Sequence, residues 1–317
     1  MIGDETGSRD DLRASVIVCT HNPRPHVFHR ALKALSAQSL APRYWEVIVI
    51  DNQSSKSVEK EFPLPDHLQS RHVQEEKLGL TSARLRGIAE ARANLLVFVD
   101  DDNLLAPDYL EVACRIEKDW PKLGLWGGQL LPEFEIEPEP WLVQRQYLLA
   151  LHAFEKDSWS NIAHKCPLPS GAGMCLRKHI GYKYAELVEK SPLRRSLDRT
   201  GTSLASCGDT DLALMTCDLG FGAGQFTDLK LTHLIPKERM TEDYFVKMTE
   251  MTCYSWEILR AIRGEWKPSP AAPLLQRISQ WRYEQTVDRR DKRFIEAQRK
   301  AKASAREYIL QNHLSKQ

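Results

Sequence analysis

Short apolar stretches alternate with segments of helical periodicity through the N-terminal third of this chain. Residues 15–20, 45–50 and 95–99 are rich in aliphatic and β-branched side chains, and each stretch has the length of one strand. Between them, residues 27–37 and 80–89 place apolar side chains at helical spacing. Strands that alternate with helices form a mostly parallel sheet flanked by helices on both faces. The sequence therefore predicts an α/β fold of that kind.

Polar side chains follow each of the three predicted strands. In chain order they are Thr20, Asn22, Asp51, Asp100, Asp101 and Asp102. The carboxyl ends of neighbouring parallel strands meet at one edge of a sheet, and ligands bind outside that edge. We therefore expect these side chains to lie together along a ligand-binding edge.

Three consecutive aspartates, Asp100, Asp101 and Asp102, carry the most chemical information at that edge. Their charges repel one another, and a bound divalent cation relieves the repulsion. Mg²⁺ and Mn²⁺ take oxygen ligands, keep some water and accept further ligands from substrate phosphates. A solvated acidic turn is the alternative for an isolated run of this kind. The position at the end of a buried strand favours a divalent metal, Mn²⁺ or Mg²⁺, as cofactor.

Composition and charge favour a cytoplasmic enzyme. The chain has 317 residues, enough for a large core, and its net charge of +1 gives no global field that would attract nucleic acid. No apolar run approaches the length that spans a bilayer, and residues 1–13 lack the apolar segment of a secretory signal. The seven cysteines show no paired spacing, which predicts reduced thiols.

Further motifs follow in a defined order. The full series reads VIVCTHNP at 16–23, VIVIDNQSS at 47–55, LGLTSAR at 78–84, DDD at 100–102, GG at 127–128, GAGM at 171–174, GDTDL at 208–212 and HLIPKER at 233–239. In this order the motifs resemble those of the GT-A-fold glycosyltransferases of family 2, which are nucleotide-sugar dependent and inverting. The resemblance covers about residues 14–259 and implies the GT-A (Rossmann-like) fold.

The resemblance also implies a role for each matched residue. Asp51 matches an aspartate that contacts a uracil base, and Asp102 with Asp100 matches a metal-binding Asp-x-Asp. His233 is a candidate third metal ligand, since imidazole accepts Mn²⁺, or a histidine bonded only to backbone. The positions implied to contact the nucleotide sugar are Thr20, Asn22, Asp51, Gly79, Arg84, Asp100, Asp101, Gly171, Gly173 and Arg239.

The catalytic base is expected near residue 209. Many family members have Glu-Asp where this chain has Gly208-Asp209, so Asp209 is the better-matched base and Asp211 is the alternative, or only a helix cap. The base takes a proton from the acceptor hydroxyl as that hydroxyl attacks the sugar. On the other side of the sugar, charge on the leaving diphosphate is stabilised by the metal, Arg239 and Lys237. One displacement inverts the anomeric centre, so no covalent nucleophile is needed.

Two other functions remain open. The glycine at position 208 favours a non-catalytic sugar-nucleotide-binding partner subunit, whereas the presence of Asp209 and the three aspartates opposes it. A sugar-nucleotide pyrophosphorylase is expected to have a glycine-rich loop after its first strand, where this chain has Thr20-His-Asn-Pro-Arg24. The donor sugar is open, and so is the acceptor, which is a glycan, a glycolipid or a small molecule. Surface-polysaccharide or glycolipid assembly is the pathway that the resemblance suggests.

We predict a polar tail at 1–13, a GT-A catalytic domain at 14–265 and a basic helical extension at 266–317. Within the domain, residues 14–103 form the nucleotide-binding half and 104–265 the donor-sugar and acceptor half. Residues 276–317 carry 11 Arg and Lys against 5 Asp and Glu. Three interpretations compete for this segment: a helix packed on the catalytic domain or a second subunit, a peripheral contact with anionic membrane, and nucleic-acid binding. Nucleic acid is disfavoured, because no aromatic and basic platform accompanies the charge.

Overall fold

The computed structural model of this chain describes residues 12–268, 273–312 and 314. The chain divides into two compact units, the first formed by Met1–Arg195 with Gly208–Pro236 and the second by Ser196–Cys207 with Lys237–Gln317. Most of the predicted polar tail, residues 1–11, lies outside the described residues. The functional boundaries at residues 13, 103 and 265 stay predictions.

The first unit is built on one sheet, which has nine strands among the described residues. In chain order the strands are β1 Ala14–Thr20, β2 Trp45–Asp51, β3 Gln69–Gln74, β4 Leu95–Asp100, β5 Asn103–Leu105, β6 Leu123–Phe134, β7 Ser158–Ser160, β8 Cys175–Arg177 and β9 Gly222–Ile235. Their spatial order is β3-β2-β1-β4-β8-β6-β9-β5, and β7 pairs with β9.

The first four strands form a parallel half-sheet. In its register Thr20 lies opposite Asp51, and Cys19 lies opposite Asp100. All seven residues of β1 and of β2 are buried, as expected for parallel strands covered on both faces. The three predicted strands therefore end side by side, and their polar ends share one edge.

The remaining strands make the sheet mixed. Strand β8 runs antiparallel to both β4 and β6, whereas β6 and β9 are parallel to each other. Strand β5 pairs antiparallel with β9 and places Asn103 opposite His233. The predicted α/β architecture with a mostly parallel sheet is confirmed, and the structure adds some antiparallel pairs.

Helices connect the strands of the first unit. Within the described residues they are α1 Pro25–Ser36, α2 Val58–Glu61, α3 Leu80–Glu90, α4 Tyr109–Asp119, α5 Pro140–Val143, α6 Lys178–Lys190 and α7 Gly208–Asp218. One face of the sheet packs against apolar residues of α1 and α4, such as Phe28 and Tyr109. The other face packs against α3, α6 and α7 through residues such as Ile88 and Ile180. Burial on both faces explains why the strands are apolar throughout rather than alternating.

The described part of the second unit is helical. Its helices are α8 Glu242–Ile262, α9 Leu274–Thr286 and α10 Arg289–Gln311. Thr241 caps α8 by accepting a hydrogen bond from the backbone N–H of Tyr244 at 3.3 Å. Helices α8 and α10 pack together, and α10 buries Phe294, Ala297, Ala301, Ala305 and Ile309. Among the residues described, no helix has both the length and the apolar character needed to cross a bilayer.

Candidate active site

Asp51 ends β2 as a buried carboxylate held by its own loop. Its Oδ1 accepts the backbone N–H of Ser54 at 3.0 Å, and its Oδ2 accepts Nε2 of Gln74 at 2.8 Å. Burial opposes ionisation, but the hydrogen bonds from Ser54 and Gln74 outweigh it and hold the pKa of Asp51 below its ordinary value. A charged carboxylate at this position can accept an N–H from a nucleobase.

The loops that follow β1 and β2 are joined through Asn22. Its backbone has a positive φ of 51°, a conformation that asparagine tolerates better than most residues. Its Oδ1 accepts the backbone N–H of Ser55 at 2.8 Å and the hydroxyl of Ser55 at 2.9 Å. Thr20 and Asn22, predicted as nucleotide contacts, thus lie beside the loop that carries Asp51.

Asn52 is a structural residue that the sequence analysis did not identify. It is buried, and its Oδ1 accepts the backbone N–H of Gly79, the residue that precedes α3, at 2.8 Å. Its Nδ2 donates to the carbonyl oxygens of Glu75 and Lys77 at 3.1 and 2.9 Å. Asn52 therefore fixes the segment leading to Gly79 and α3 against the end of β2.

Asp101 and Asp102 point to different neighbours. Thr20 Oγ1 donates to Oδ2 of Asp101 at 2.5 Å, which ties Asp101 to the end of β1. Asp102 is buried and accepts Nδ2 of Asn103 on Oδ1 at 3.1 Å. Its Oδ2 lies 3.5 Å from Nε2 of His233, which the pairing of β5 with β9 brings alongside.

Asp102 and His233 are an adjacent pair with metal-ligand chemistry. No cluster of three or more His, Cys, Asp or Glu side chains suited to a metal occurs in the part of the chain that the structure describes. A carboxylate oxygen beside an imidazole nitrogen nevertheless fits Mn²⁺, which takes both ligand types. Mg²⁺ and similar ions bound through substrate phosphates need only one or two protein ligands, because phosphate oxygens and water supply the rest.

Asp209 lies in the first turn of α7 and is held by backbone groups. Its Oδ2 accepts the N–H of Gly171 at 2.8 Å, and its Oδ1 accepts the N–H of Thr210 at 2.7 Å. A side chain at position 171 would collide with the guanidinium of Arg84, so the glycine lets that group lie against the backbone. The structure thus brings together Arg84, Gly171 and Asp209, which the sequence analysis assigned separately.

Gly173 has a packing role of its own. Its φ of +70° lies in the left-handed region, and a side chain there would meet the hydroxyl of Tyr109 at 2.6 Å. The buried Tyr109 hydroxyl donates to the Gly173 carbonyl at 2.5 Å. A contact between Gly173 and the nucleotide sugar stays a prediction.

Asp211 occupies an environment unlike that of Asp209. It is fully buried and forms an ion pair with Arg194, which is itself buried. The suggestion that Asp211 only caps the helix therefore needs revision, because its side chain is bound to a guanidinium in the protein interior. A carboxylate paired in this way is poorly suited to receive a proton from a substrate.

His152, which lies near Asp209, was not identified from the sequence either. Its Nε2 lies 2.8 Å from the hydroxyl of Ser170, which precedes Gly171. Burial lowers the pKa of His152, and the charge of Asp209 raises it but only partly offsets that effect. No local motif surrounds His152, so nothing in the sequence pattern indicates this position.

Lys237 and Arg239 belong to the second unit. They lie in a 3-10 helix, Lys237–Met240, directly before α8. Their predicted interaction with the diphosphate stays a prediction.

Residues 15–127 match the family model described as Glycosyl transferase family 2. We call residues 15–127 the family 2 segment because of this match. The family 2 segment contains Asp51, Arg84 and the three aspartates, and the match confirms the resemblance drawn from the motifs.

Two curated relatives of this chain are glycosyltransferases by name. Identity to the glucosyl-dolichyl phosphate glucuronosyltransferase of Haloferax volcanii is 26% over 141 residues, which is 42% of this chain and 45% of that protein. Identity to the validoxylamine A glucosyltransferase of Streptomyces hygroscopicus subsp. limoneus is 35% over 102 residues, which is 31% of this chain and 22% of that protein. The chain thus spans less than half the length of these relatives.

Two solved glycosyltransferase structures share the fold. The mannosyltransferase PcManGT from Pyrobaculum calidifontis, in complex with GDP-Man and Mn²⁺, matches with a TM-score of 0.54 and 19% identity, over 94% of this chain and 75% of that one. S. aureus TarS 1-349, in complex with UDP-GlcNAc, matches with a TM-score of 0.51 and 15% identity, over 90% of this chain and 79% of that one. The GT-A fold predicted from the motifs is confirmed.

Proposed function

We propose that this protein is a metal-dependent, inverting glycosyltransferase that moves a sugar from a nucleotide sugar to an acceptor hydroxyl. The observation that carries the proposal is the placement of Asp51, Asp101 and the Asp102–His233 pair along one edge of the sheet, together with the match of residues 15–127 to the family 2 model. That edge supplies a carboxylate for the nucleobase and two ligand groups for a metal.

The donor side of the reaction rests on Asp51 and the aspartate run. Asp51 accepts the imide N–H of uracil, so a uridine nucleotide is the proposed donor. Asp102 and His233, with Asp100 nearby, are the residues that would hold Mn²⁺ or Mg²⁺. The ion, when bound, supplies positive charge that offsets the charge of the leaving diphosphate. The solved structure of PcManGT, which shares the fold and contains GDP-Man and Mn²⁺, supports both a metal and a nucleotide-sugar donor, although the base of its nucleotide is guanine.

The acceptor side rests on Asp209. Its two oxygens accept backbone N–H groups, one from Thr210 at the start of α7 and one from Gly171, and this arrangement stabilises negative charge. Asp209 receives the proton of the acceptor hydroxyl as that oxygen attacks the anomeric carbon. The ion pair of Asp211 with Arg194 favours Asp209 over Asp211 for this role.

We propose two chemical classes of acceptor. One relative is named for a dolichyl-phosphate-linked sugar and the other for the small molecule validoxylamine A. A glycolipid or polysaccharide intermediate and a small-molecule acceptor are therefore both candidates.

The proposed location is the cytoplasm. There the protein would contact either the membrane surface or a second copy of itself. Several basic side chains of α10 already pair within the second unit, among them Arg293 with Glu242 and Lys300 with Glu250. These pairs reduce the charge available to lipid. Sedimentation with anionic vesicles detects the lipid contact, and light scattering of the free protein detects a second copy. Loss of binding in 0.5 M salt is expected only for the lipid contact.

Nucleotide binding provides the test of this proposal. Thermal shift is measured with UDP, GDP and ADP, each with and without Mn²⁺, and a ligand at 100 times its Kd adds about 2.7 kcal/mol of stability. UDP with Mn²⁺ should stabilise most, and the preference should shrink in Asp51→Ala. Stronger stabilisation by GDP would overturn the uridine assignment. Release of UDP from UDP-N-acetylglucosamine and other UDP-sugars then separates an enzyme from a non-catalytic binding subunit.

A further inference from the structure

His152 is held rigidly next to the segment that binds Asp209. Its backbone N–H donates to the carbonyl of Leu130 at 3.1 Å, and the N–H of Leu130 donates to the carbonyl of His152 at 2.9 Å. This pair of bonds extends the hydrogen bonding of β6 and fixes the backbone position of His152. The ring then reaches Ser170, with 2.8 Å between Nε2 and the Ser170 hydroxyl.

A continuous chain of contacts leads from His152 to Asp209. Ser170 is followed by Gly171, whose N–H donates to Oδ2 of Asp209 at 2.8 Å. The guanidinium of Arg84 also lies against Gly171. Asp209 and Arg84 are thus the charged groups along this series of contacts. Asp209 interacts electrostatically with His152.

We propose that His152 is a positioning residue for Asp209, acting through Ser170 and the Gly171 N–H. The inference rests on the proposed function, in which Asp209 is the base. The neutral imidazole fixes the Ser170 hydroxyl and so aims the Gly171 N–H at Oδ2, which orients the other oxygen of the carboxylate. A proton on His152 places a positive charge beside Asp209 and weakens the carboxylate as a proton acceptor.

The protonation state at neutral pH agrees with this role. Burial lowers the pKa of His152 below its ordinary value, and the charge of Asp209 only partly offsets that effect. The imidazole is therefore neutral at pH 7 and gains its proton as the pH falls through its lowered pKa. Turnover should decline over the same range.

A titration of the free protein tests the coupling without any substrate. The imidazole signals are followed by NMR against pH, and the His152 signal is assigned by its loss in His152→Gln. In Asp209→Asn the pKa of His152 should fall, since the charge that raises it is gone. His179, a histidine on α6 whose pKa burial also lowers, is the matched control and should titrate unchanged. An unchanged His152 titration in Asp209→Asn overturns the inference.

Kinetics distinguish positioning from a merely structural role. With UDP-N-acetylglucosamine and Mn²⁺, His152→Ala should lower kcat for UDP release by about 10- to 100-fold at unchanged UDP affinity, the loss expected from a misplaced catalytic group. His152→Gln, whose amide reaches the same position, should retain most of the activity, and the acid limb of its pH profile should move to lower pH. Equal losses in His152→Gln and His152→Ala overturn the inference. If no UDP-sugar supports turnover while the titration shifts as expected, the proposed function fails and the coupling of His152 to Asp209 stands.

Discussion

At the residue scale, Asp209 and Asp211 have opposite surroundings although they lie two positions apart on α7. Asp209 is half-buried and bound by two backbone N–H groups, whereas Asp211 is fully buried against the guanidinium of Arg194. The first arrangement leaves a carboxylate accessible to a substrate hydroxyl. The second serves stability, because a buried charge without its partner is costly.

Substitution separates these two roles. Asp209→Asn should lower turnover by roughly 10²-fold or more without changing UDP affinity, because a general base is lost. Asp211→Asn should lower the free energy of unfolding by about 3 kcal/mol, because Arg194 is left buried without a charged partner. Both predictions are tested by measuring the turnover and the denaturant-induced unfolding of each variant. A larger loss of turnover per folded molecule in Asp211→Asn would make Asp211 the base.

The aspartate run also divides by residue. Asp101 is bound to Thr20, whereas Asp102 lies beside His233. Asp102→Ala should abolish both transfer and the stabilisation that Mn²⁺ adds to UDP binding, and EDTA should do the same to the wild-type protein. Asp101→Ala is the matched control and should retain a measurable Mn²⁺ effect in thermal shift. Full activity in EDTA would contradict a metal role and leave the fold assignment intact.

At the scale of elements, one buried carboxylate joins the parallel strands at the edge opposite Asp51. Glu46 in β2 accepts the hydroxyl of Ser15 in β1 at 2.6 Å and Nη1 of Arg71 in β3 at 2.6 Å. It also accepts the backbone N–H and Nε of Arg92, which follows α3, at 2.7 and 2.8 Å. Burial raises the pKa of Glu46, but the bonds from Ser15, Arg71 and Arg92 outweigh it and lower the pKa overall.

This network predicts a stability difference that depends on pH. A lowered pKa in the folded state means that Glu46 stabilises the fold above its ordinary pKa and loses that contribution as the pH falls through the lowered value. Glu46→Gln should therefore cost about 2–3 kcal/mol at pH 7, and the cost should vanish in acid. Urea unfolding at a series of pH values measures it. Glu90→Gln, which removes an exposed pair with Arg86, is the control and should cost under about 1 kcal/mol at any pH. A cost for Glu46→Gln that does not change with pH would contradict this account.

At the scale of the whole molecule, the chain forms two compact units with different kinds of core. The first unit packs helices on both faces of a sheet, whereas the second packs α10 against α8 through Phe294 and a row of alanines. Some of the basic side chains of the C-terminal segment form ion pairs within that unit, such as Arg290 with Glu242. Helix packing, the first of the three interpretations of this segment, therefore accounts for its apolar face.

Phe294 provides a test of that packing. Phe294→Ala should lower the stability of the second unit by about 3–5 kcal/mol, because a buried aromatic ring leaves a cavity. Tyr283→Ala, at a position 60% exposed on α9, is the control and should change it by less than about 0.5 kcal/mol. Hydrogen exchange resolved by segment measures the effect on α8 and α10 separately from the sheet. A loss of protection confined to the sheet would contradict this packing.

The sequence by itself determined the elements and the edge on which they converge. Apolar strands with polar ends and helices with periodic apolar faces are local patterns, so residues 15–20, 45–50 and 95–99 predicted a parallel sheet. The placement of Thr20, Asp51 and Asp100 at one edge followed, because parallel strands in register end together. The order of motifs was enough to indicate family 2.

Only the tertiary structure decided which distant side chains meet. Gly171 binds Asp209 across 38 positions of sequence, and Asp102 reaches His233 because β5 pairs with β9. His152, in a loop, reaches Ser170, and Arg194, in a short 3-10 helix, reaches Asp211; neither segment carries a periodic pattern. Such contacts depend on strand order, β-pairing and side-chain packing, which no local spacing encodes. That is why the roles of His152 and Arg194 were absent from the sequence analysis while the aspartate edge was present.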